Sequence, residues 1–203
     1  MIETSDLDGV LTVTINRPEK ANSLTGDMLQ ALTDIARDAS GARALILTGK
    51  GKVFSAGADL EEAAAGLAVS TIWEDLSGAI AALPCMTIAA LNGTLAGGAT
   101  GMALACDLRL SVPSARFFYP VMKLGFLPQP SDPKRMSALI GPARTKLILM
   151  GGQKISAQDA LTFGLIDRIC EPDTLLSDAH SIIADSAVAE PDLRVQIKAM
   201  CEA

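Results

Sequence analysis

The chain has 203 residues, 49% of them apolar, a net charge of −6 and only 3% aromatic residues. That length and apolar content suit one folded domain and exclude a disordered chain. The acidic balance and the scarcity of stacking rings argue against a nucleic-acid-binding role, and every apolar run is broken by Gly, Pro or charge before it reaches membrane-spanning length.

Ile2–Asp8 carries three acids and no apolar core, so it does not read as a signal segment. Val10–Asn16 alternates apolar and polar residues and predicts a strand that Arg17-Pro18 ends. Thr25 is placed to cap a helix over Asp27–Ala39, in which Met28, Leu32, Ile35 and Ala39 share a face. Ala44–Thr48 predicts a buried strand, followed by a Gly49–Lys52 turn that lacks the spacing of a phosphate loop. A short helix or lid follows Asp59, then a helix over Thr71–Leu83 that Pro84 stops. Cys85–Leu91 and Asp107–Ser111 predict strands, and Gly97–Cys106 a deeply buried helix of small residues. Ala115–Pro130 is Pro-rich and partly extended. Helices are expected over Asp132–Ile140, Pro142–Met150, Ala157–Phe163, Glu171–Val188 and Asp192–Cys201, with a short strand at Leu165–Cys170. Strand, turn and helix therefore recur, a repeating α/β unit that places function at strand C-termini.

Two turns stand out, Ala56-Gly57-Ala58 and Gly97-Gly98. Small residues let a ligand approach the main chain, and each turn runs into a helix, whose first amides have no acceptor of their own. Paired backbone donors are what a developing oxyanion needs, so the two turns predict a thioester-binding, enolate-stabilising site. The four cysteines show no CxxC spacing and read as reduced residues of an intracellular, cytoplasmic protein. The only histidine, His180, falls in a late helix; a triad, a zinc site and a GxGxxG dinucleotide site are all unsupported.

Six segments in order carry a resemblance: INRPEKANSLT, LILTGKGKVFSAGADL, MTIAALNGTLAGGATGMALACDLRL, ARFFYPVMKLGFLP, LIGPARTKLILMGG and ISAQDALTFGLIDRI. Together they resemble the enoyl-CoA hydratase/isomerase (crotonase) superfamily. The resemblance implies an α/β fold, a single domain with a spiral of repeated ββα units over about residues 1–150 and a short helical region over about 151–203. It also implies assembly as a homotrimer or a dimer of trimers. Members commonly continue well past the equivalent of Ala203 with helices that build the trimer, so exposed apolar area here is expected to favour self-association. By position, the backbone amides of Ala58 and Gly98 would form the oxyanion hole around an acyl-CoA thioester. Lys20, Ala21 and Asn22, with Ala56, Gly57, Asp59 and Leu60, would line the path of coenzyme A, which enters as part of the substrate rather than as a cofactor.

The two glutamates with which family hydratases add water fall here on Gly101 and Val121, and neither residue transfers a proton. Ordinary hydratase activity is therefore expected to be weak or absent. The stretch after PVMKLG offers Asp132, which reads either as an alternative acid/base or as a helix N-cap or first-turn residue ahead of Pro133. Tyr119 reads as a core aromatic with a wet hydroxyl or as a hydrogen-bond donor to the site, and Glu61 and Glu62 as solvated acids. Two functions follow: a CoA-thioester isomerase or lyase of enolate chemistry, or a catalytically inactive acyl-CoA-binding or partner subunit.

Overall fold

The computed structural model describes residues 1–201. Ile2–Leu7 (β1) and Val10–Ile15 (β2) form an antiparallel hairpin whose Asp8-Gly9 turn has both φ values positive, at 52° and 83°, the twist that two-residue hairpins favour. Thr25 caps Gly26–Asp38 (α1) by accepting a hydrogen bond from the Met28 amide at 3.2 Å, and Met28, Leu29, Leu32 and Ala36 form its buried face. Then come Ala44–Gly49 (β3), Val53–Ser55 (β4), Leu60–Ala64 (α2) and Ile72–Ala81 (α3). Met86–Leu91 (β5), Thr94–Ala96 (β6) and Thr100–Leu104 (α4) make the next unit, and Leu108–Ser111 (β7), Arg116–Phe118 (β8) and Val121–Leu124 (α5) the one after. Asp132–Leu149 (α6), Ile155–Ser156 (β9), Ala157–Phe163 (α7), Arg168–Ile169 (β10), Leu175–Val188 (α8) and Pro191–Cys201 (α9) complete the described chain.

Each unit sends its long strand into one sheet and its short strand into another. The first sheet runs β1-β2-β3-β5-β7-β10, parallel from β2 onward, and the second runs β4-β6-β8-β9. The parallel strands are nearly continuous apolar runs, because both faces are covered. Ile46, Ile88, Leu91 and Leu110 are fully buried, with α8 packed across β3, β5 and β7, and α1 packed against α3. Among the described residues no helix is long and apolar enough to cross a membrane.

The structure departs from the sequence reading in the short elements. β1 is an edge strand whose residues after Ile2 are exposed, so it carries no apolar alternation to read. β4, β6, β8 and β9 have only two or three residues each. The strand expected over Leu165–Cys170 shrinks to Arg168–Ile169, because Gly164 (φ 87°) caps α7 and the Leu165 and Ile166 amides turn back to the Ala160 carbonyl. The helix expected from Gly97 opens as a 3₁₀ turn, Gly97–Ala99, before α4. The helix expected from Glu171 begins at Leu175. The two helices expected on either side of Gly141 are the two halves of α6, broken at that residue (φ 76°, ψ 162°). Cys85, Cys106 and Cys170 are buried free thiols, whereas Cys201 is exposed.

Two asparagines lock successive units together. Asn22 accepts a hydrogen bond from the Arg17 amide and donates to the Lys50 and Val53 carbonyls at 3.0 and 2.7 Å. Asn92 accepts from the Gly49 amide at 3.0 Å and donates to the Gly51 carbonyl at 2.9 Å. Gly93, next in chain, leaves no room for a side chain: a Cβ there would lie 2.0 Å from the Lys52 carbonyl oxygen. Gly93→Ala should therefore lower the unfolding free energy by at least about 2 kcal/mol. Gly78→Ala, in α3 with open space around it, should raise it by about 0.5–1 kcal/mol. Urea denaturation of both variants checks the pair.

Candidate active site

The first turn is held from below. Ser55, fully buried, donates its hydroxyl to the Asn22 carbonyl at 2.8 Å and accepts from the Gly57 amide at 3.2 Å. The Leu24 amide donates to the Gly57 carbonyl and the Asp59 amide to the Leu24 carbonyl, both at 2.8 Å. These two bonds straddle Ala58 in a parallel bridge, which leaves the Ala58 amide pointing away from Leu24 with no acceptor in the bridge. The second turn begins at Gly97 (φ 58°), and Gly98 is the second residue of its 3₁₀ turn, where an amide has no intrahelical acceptor.

The turns touch through their main chains. A Cβ on Gly57 (φ 94°) would come 3.0 Å from the Ala96 carbonyl oxygen, 3.4 Å from the Gly97 Cα and 3.6 Å from the Gly98 nitrogen. A Cβ on Gly98 would press on the Trp73 ring at 3.2 Å. The Trp73 indole is itself fixed by its N–H bond to the Leu67 carbonyl at 2.8 Å. Gly57 thus suits its place through its positive φ and the close Ala96 carbonyl, and a side chain at Gly98 would crowd the ring beneath it.

Ala58 and Gly98 line a cavity of about 140 Å³ whose walls are otherwise apolar: Trp73, Phe118, Val121, Leu124, Phe126 and Leu127, with Tyr119. Ala56, Ala58 and Leu60 also border a larger groove of about 520 Å³ that includes Arg17, Lys20, Ala21, Ser23 and Asp59. Of the residues expected to line the nucleotide path, Lys20, Ala21, Ala56, Asp59 and Leu60 lie on this groove. Gly57 sits behind it, and Asn22 is fully buried with its amide spent on the clamp between units. Asp59 pairs with Arg17 at 2.8 Å, which holds its carboxyl below the usual range. Glu61 is exposed, but Glu62 accepts from the Gly26 amide at 2.7 Å at the start of α1, so only the first behaves as a solvated acid.

Asp132 does not cap α6. It is instead the first-turn residue ahead of Pro133, the other half of that reading, after a Ser131 that makes no side-chain cap, and it is fully buried. One carboxyl oxygen, Oδ2, accepts the Tyr119 hydroxyl at 3.0 Å; the other, Oδ1, has no partner. Burial pushes the Asp132 pKa up to about 7, against the Tyr119 hydrogen bond, which lowers it; the nearby Glu74 raises it further and Arg135 lowers it. Tyr119 is likewise buried rather than wet, and its phenol is pushed far above its ordinary range by burial and by Asp132. The unpartnered oxygen faces Gly101: a Cβ built on that glycine would lie 2.7 Å from Oδ1. An acid at position 132 in this pose and a side chain at position 101 are therefore mutually exclusive.

Sequence reasoning did not find this pairing. Tyr119 and Asp132 are thirteen residues apart in a Pro-rich stretch without periodicity, and only the fold brings them together. The support behind them was equally illegible: Glu74 of α3 accepts from the Ser131 amide and hydroxyl at 2.8 and 2.7 Å, and Arg135 donates to the same hydroxyl at 2.8 Å. The roles of Trp73 and Arg17 were also missed, for want of any local signal.

Residues 6–203 match the profile of a family described as enoyl-CoA hydratase/isomerase. The chain is 34% identical over 193 residues to a probable enoyl-CoA hydratase (echA6) of Mycobacterium tuberculosis, covering 94% of this chain and 78% of that protein. It is 34% identical over 198 residues to a short-chain-enoyl-CoA hydratase of Clostridium acetobutylicum, covering 93% and 75%. Its fold superposes on the crystal structure of an enoyl-CoA hydratase from Bacillus anthracis with a TM-score of 0.90 at 30% identity, covering 98% of this chain and 82% of that one.

The buried carboxyl has a consequence for stability. Unfolded, Asp132 ionises near the ordinary carboxyl value of 3.8; folded, it holds its proton to about 7. Between those values the folded state binds more protons than the unfolded state, so stability falls as pH rises through this window and stays lowered above it. Asp132→Asn, which keeps an acceptor for Tyr119, should unfold at higher denaturant than the parent at pH 8, a gain of about 1–3 kcal/mol. It should gain little at pH 4. Equal stabilities at pH 8 would contradict a carboxyl forced into this site.

Proposed function

The chain belongs to the enoyl-CoA hydratase/isomerase family, and on that premise we propose that it binds an acyl-CoA thioester and stabilises the enolate that forms on loss of a proton next to the carbonyl. The observation that supports this reading is the contact of the two turns, whose residues Ala58 and Gly98 line one apolar cavity. As the proton leaves, negative charge moves onto the thioester oxygen. Two preplaced amides in a dry pocket stabilise that charge at no cost of reorganisation, and one such donor can be worth about 3 kcal/mol.

The reaction is proton movement rather than hydration. Addition of water needs an acid or base in reach of it, and the two positions at which the family's hydratases place glutamates hold Gly101 and Val121, the latter buried in the cavity wall. Of the carboxyls nearby, that of Asp132 has a pKa suited to exchanging a proton near neutrality. A single such group fits isomerisation of a double bond or another enolate reaction. Coenzyme A lies along the groove at Lys20, Ala21 and Asp59 as part of the substrate, and no separate cofactor is invoked. The reading includes assembly into trimers; exposed Leu193, Val195, Ile197 and Met200 on α9 favour burial between copies.

A second reading has its own support. Asp132 has no exposed surface, as in a protein that binds acyl-CoA without turning it over. Calorimetric titration with acetoacetyl-CoA and with free CoA tests the hole: the thioester should bind more tightly by an order of magnitude or more, and equal affinities would mean a CoA groove without a working hole. Exchange of the α-protons of butyryl-CoA into D₂O separates the enzyme from the binder, since only the enzyme catalyses it. Crotonyl-CoA hydration should remain weak in both cases.

A further inference from the structure

The carboxyl that the site has available does not reach the cavity it would serve. Asp132 has no exposed surface and is absent from the cavity wall. Its Oδ1 looks at the bare Cα of Gly101, and its Oδ2 is covered by the Tyr119 hydroxyl. Tyr119, by contrast, lines the same cavity as Ala58 and Gly98, and its hydroxyl donates to the carboxyl while accepting from the Gln129 amide at 3.5 Å.

Resting on the thioester-enzyme reading above, we propose that Tyr119 is the residue that exchanges the proton with the substrate, and that Asp132 acts through it as the positioning residue and proton store. In the forward step the C–H bond next to the thioester carbonyl breaks. Its electron pair forms the enolate double bond, with the charge on the oxygen held by Ala58 and Gly98. The proton bonds to the Tyr119 oxygen while the phenol's own proton passes to Asp132 Oδ2. The phenol is neutral before and after, and the carboxylate becomes a carboxylic acid. Return of the same proton to a different carbon completes an isomerisation with no net change in protons and no co-reactant.

The surroundings fit this division. Burial keeps the phenol far from ionising on its own, so it transfers a proton only in concert with a group behind it. The groups facing the carboxyl are Tyr119 from the segment ahead of α5, Glu74 from α3 and Arg135 from α6 itself, while α4 offers only the backbone of Gly101. Glu74 and Arg135 both close on Ser131, which fixes the first turn of α6 and thereby the aim of the carboxyl at Tyr119.

The test is α-proton exchange of butyryl-CoA in D₂O from pH 5 to 9, with acetoacetyl-CoA affinity measured on each variant. Tyr119→Phe should lower the exchange rate by about 100-fold or more at every pH, with affinity unchanged. Asp132→Asn should lose as much and should also lose the parent's inflection near neutral pH. Retention of most of the exchange rate in Tyr119→Phe, with the inflection moved upward, would overturn the proposal, because Asp132 would then meet the substrate directly after losing its hydrogen bond. No exchange in the parent would overturn the thioester-enzyme reading itself, a separate outcome. Should Tyr119→Phe not fold, the chain offers a second handle, since Tyr119 is its only tyrosine. Growth on fluorotyrosine then alters the acidity of this one phenol. A changed exchange rate and pH profile supports the relay, and an unchanged profile at full incorporation contradicts it.

Discussion

Two backbone turns press together here with no side chain between them. A Cβ on Gly57 would crowd the Ala96 carbonyl oxygen at 3.0 Å and touch Gly97 and Gly98. Everything else in the architecture serves this approach. The parallel sheet sets β3 beside β5, so the segments that leave their C-terminal ends emerge as neighbours. Asn22 and Asn92 then tie the first turn's loop to the chain before it and to the unit after it, meeting at Gly49, where a Cβ would lie 2.9 Å from both side chains. Trp73 supports the second turn from beneath. A cradle of main-chain donors is rigid because amides have no rotamers to lose, and rigidity is what lets a donor stabilise charge as it develops.

The acid is the second theme. The fold keeps a carboxyl with one unpartnered oxygen in its interior, an arrangement that lowers stability. Gly101 makes it sterically feasible, since any side chain there would collide with Asp132. In this pose the Asp132 carboxyl fills the space that a side chain at position 101 would need. Proteins tolerate such strained polar placements mainly where function uses them.

Much of this was legible in the sequence, and the rest was not for identifiable reasons. The long parallel strands and α1, α3, α7 and α8 declare themselves through apolar runs, spacing, bounding Gly and Pro residues and the Thr25 cap. The two glycine turns were legible because small residues at strand ends have few other uses. The short strands β4, β6, β8 and β9 were not, because two or three residues carry no period. Nor was the environment of Asp132: a carboxylate at the start of a helix ordinarily caps it, and only the tertiary packing of α4 and Tyr119 makes this one a buried acid. Nor was the burial of the Asn22 side chain. Its neighbours Lys20 and Ala21 border the groove, but its own side chain is held inside by the Arg17 amide and the Lys50 and Val53 carbonyls.

The central claim is that the amides of Ala58 and Gly98 act on one oxygen. A crystal structure of the complex with acetoacetyl-CoA measures this directly. The account predicts the thioester oxygen about 2.7–3.1 Å from both nitrogens, with the acyl chain against Val121 and Tyr119. A thioester oxygen bonded to water or to side chains, with both amides left unengaged, would contradict it.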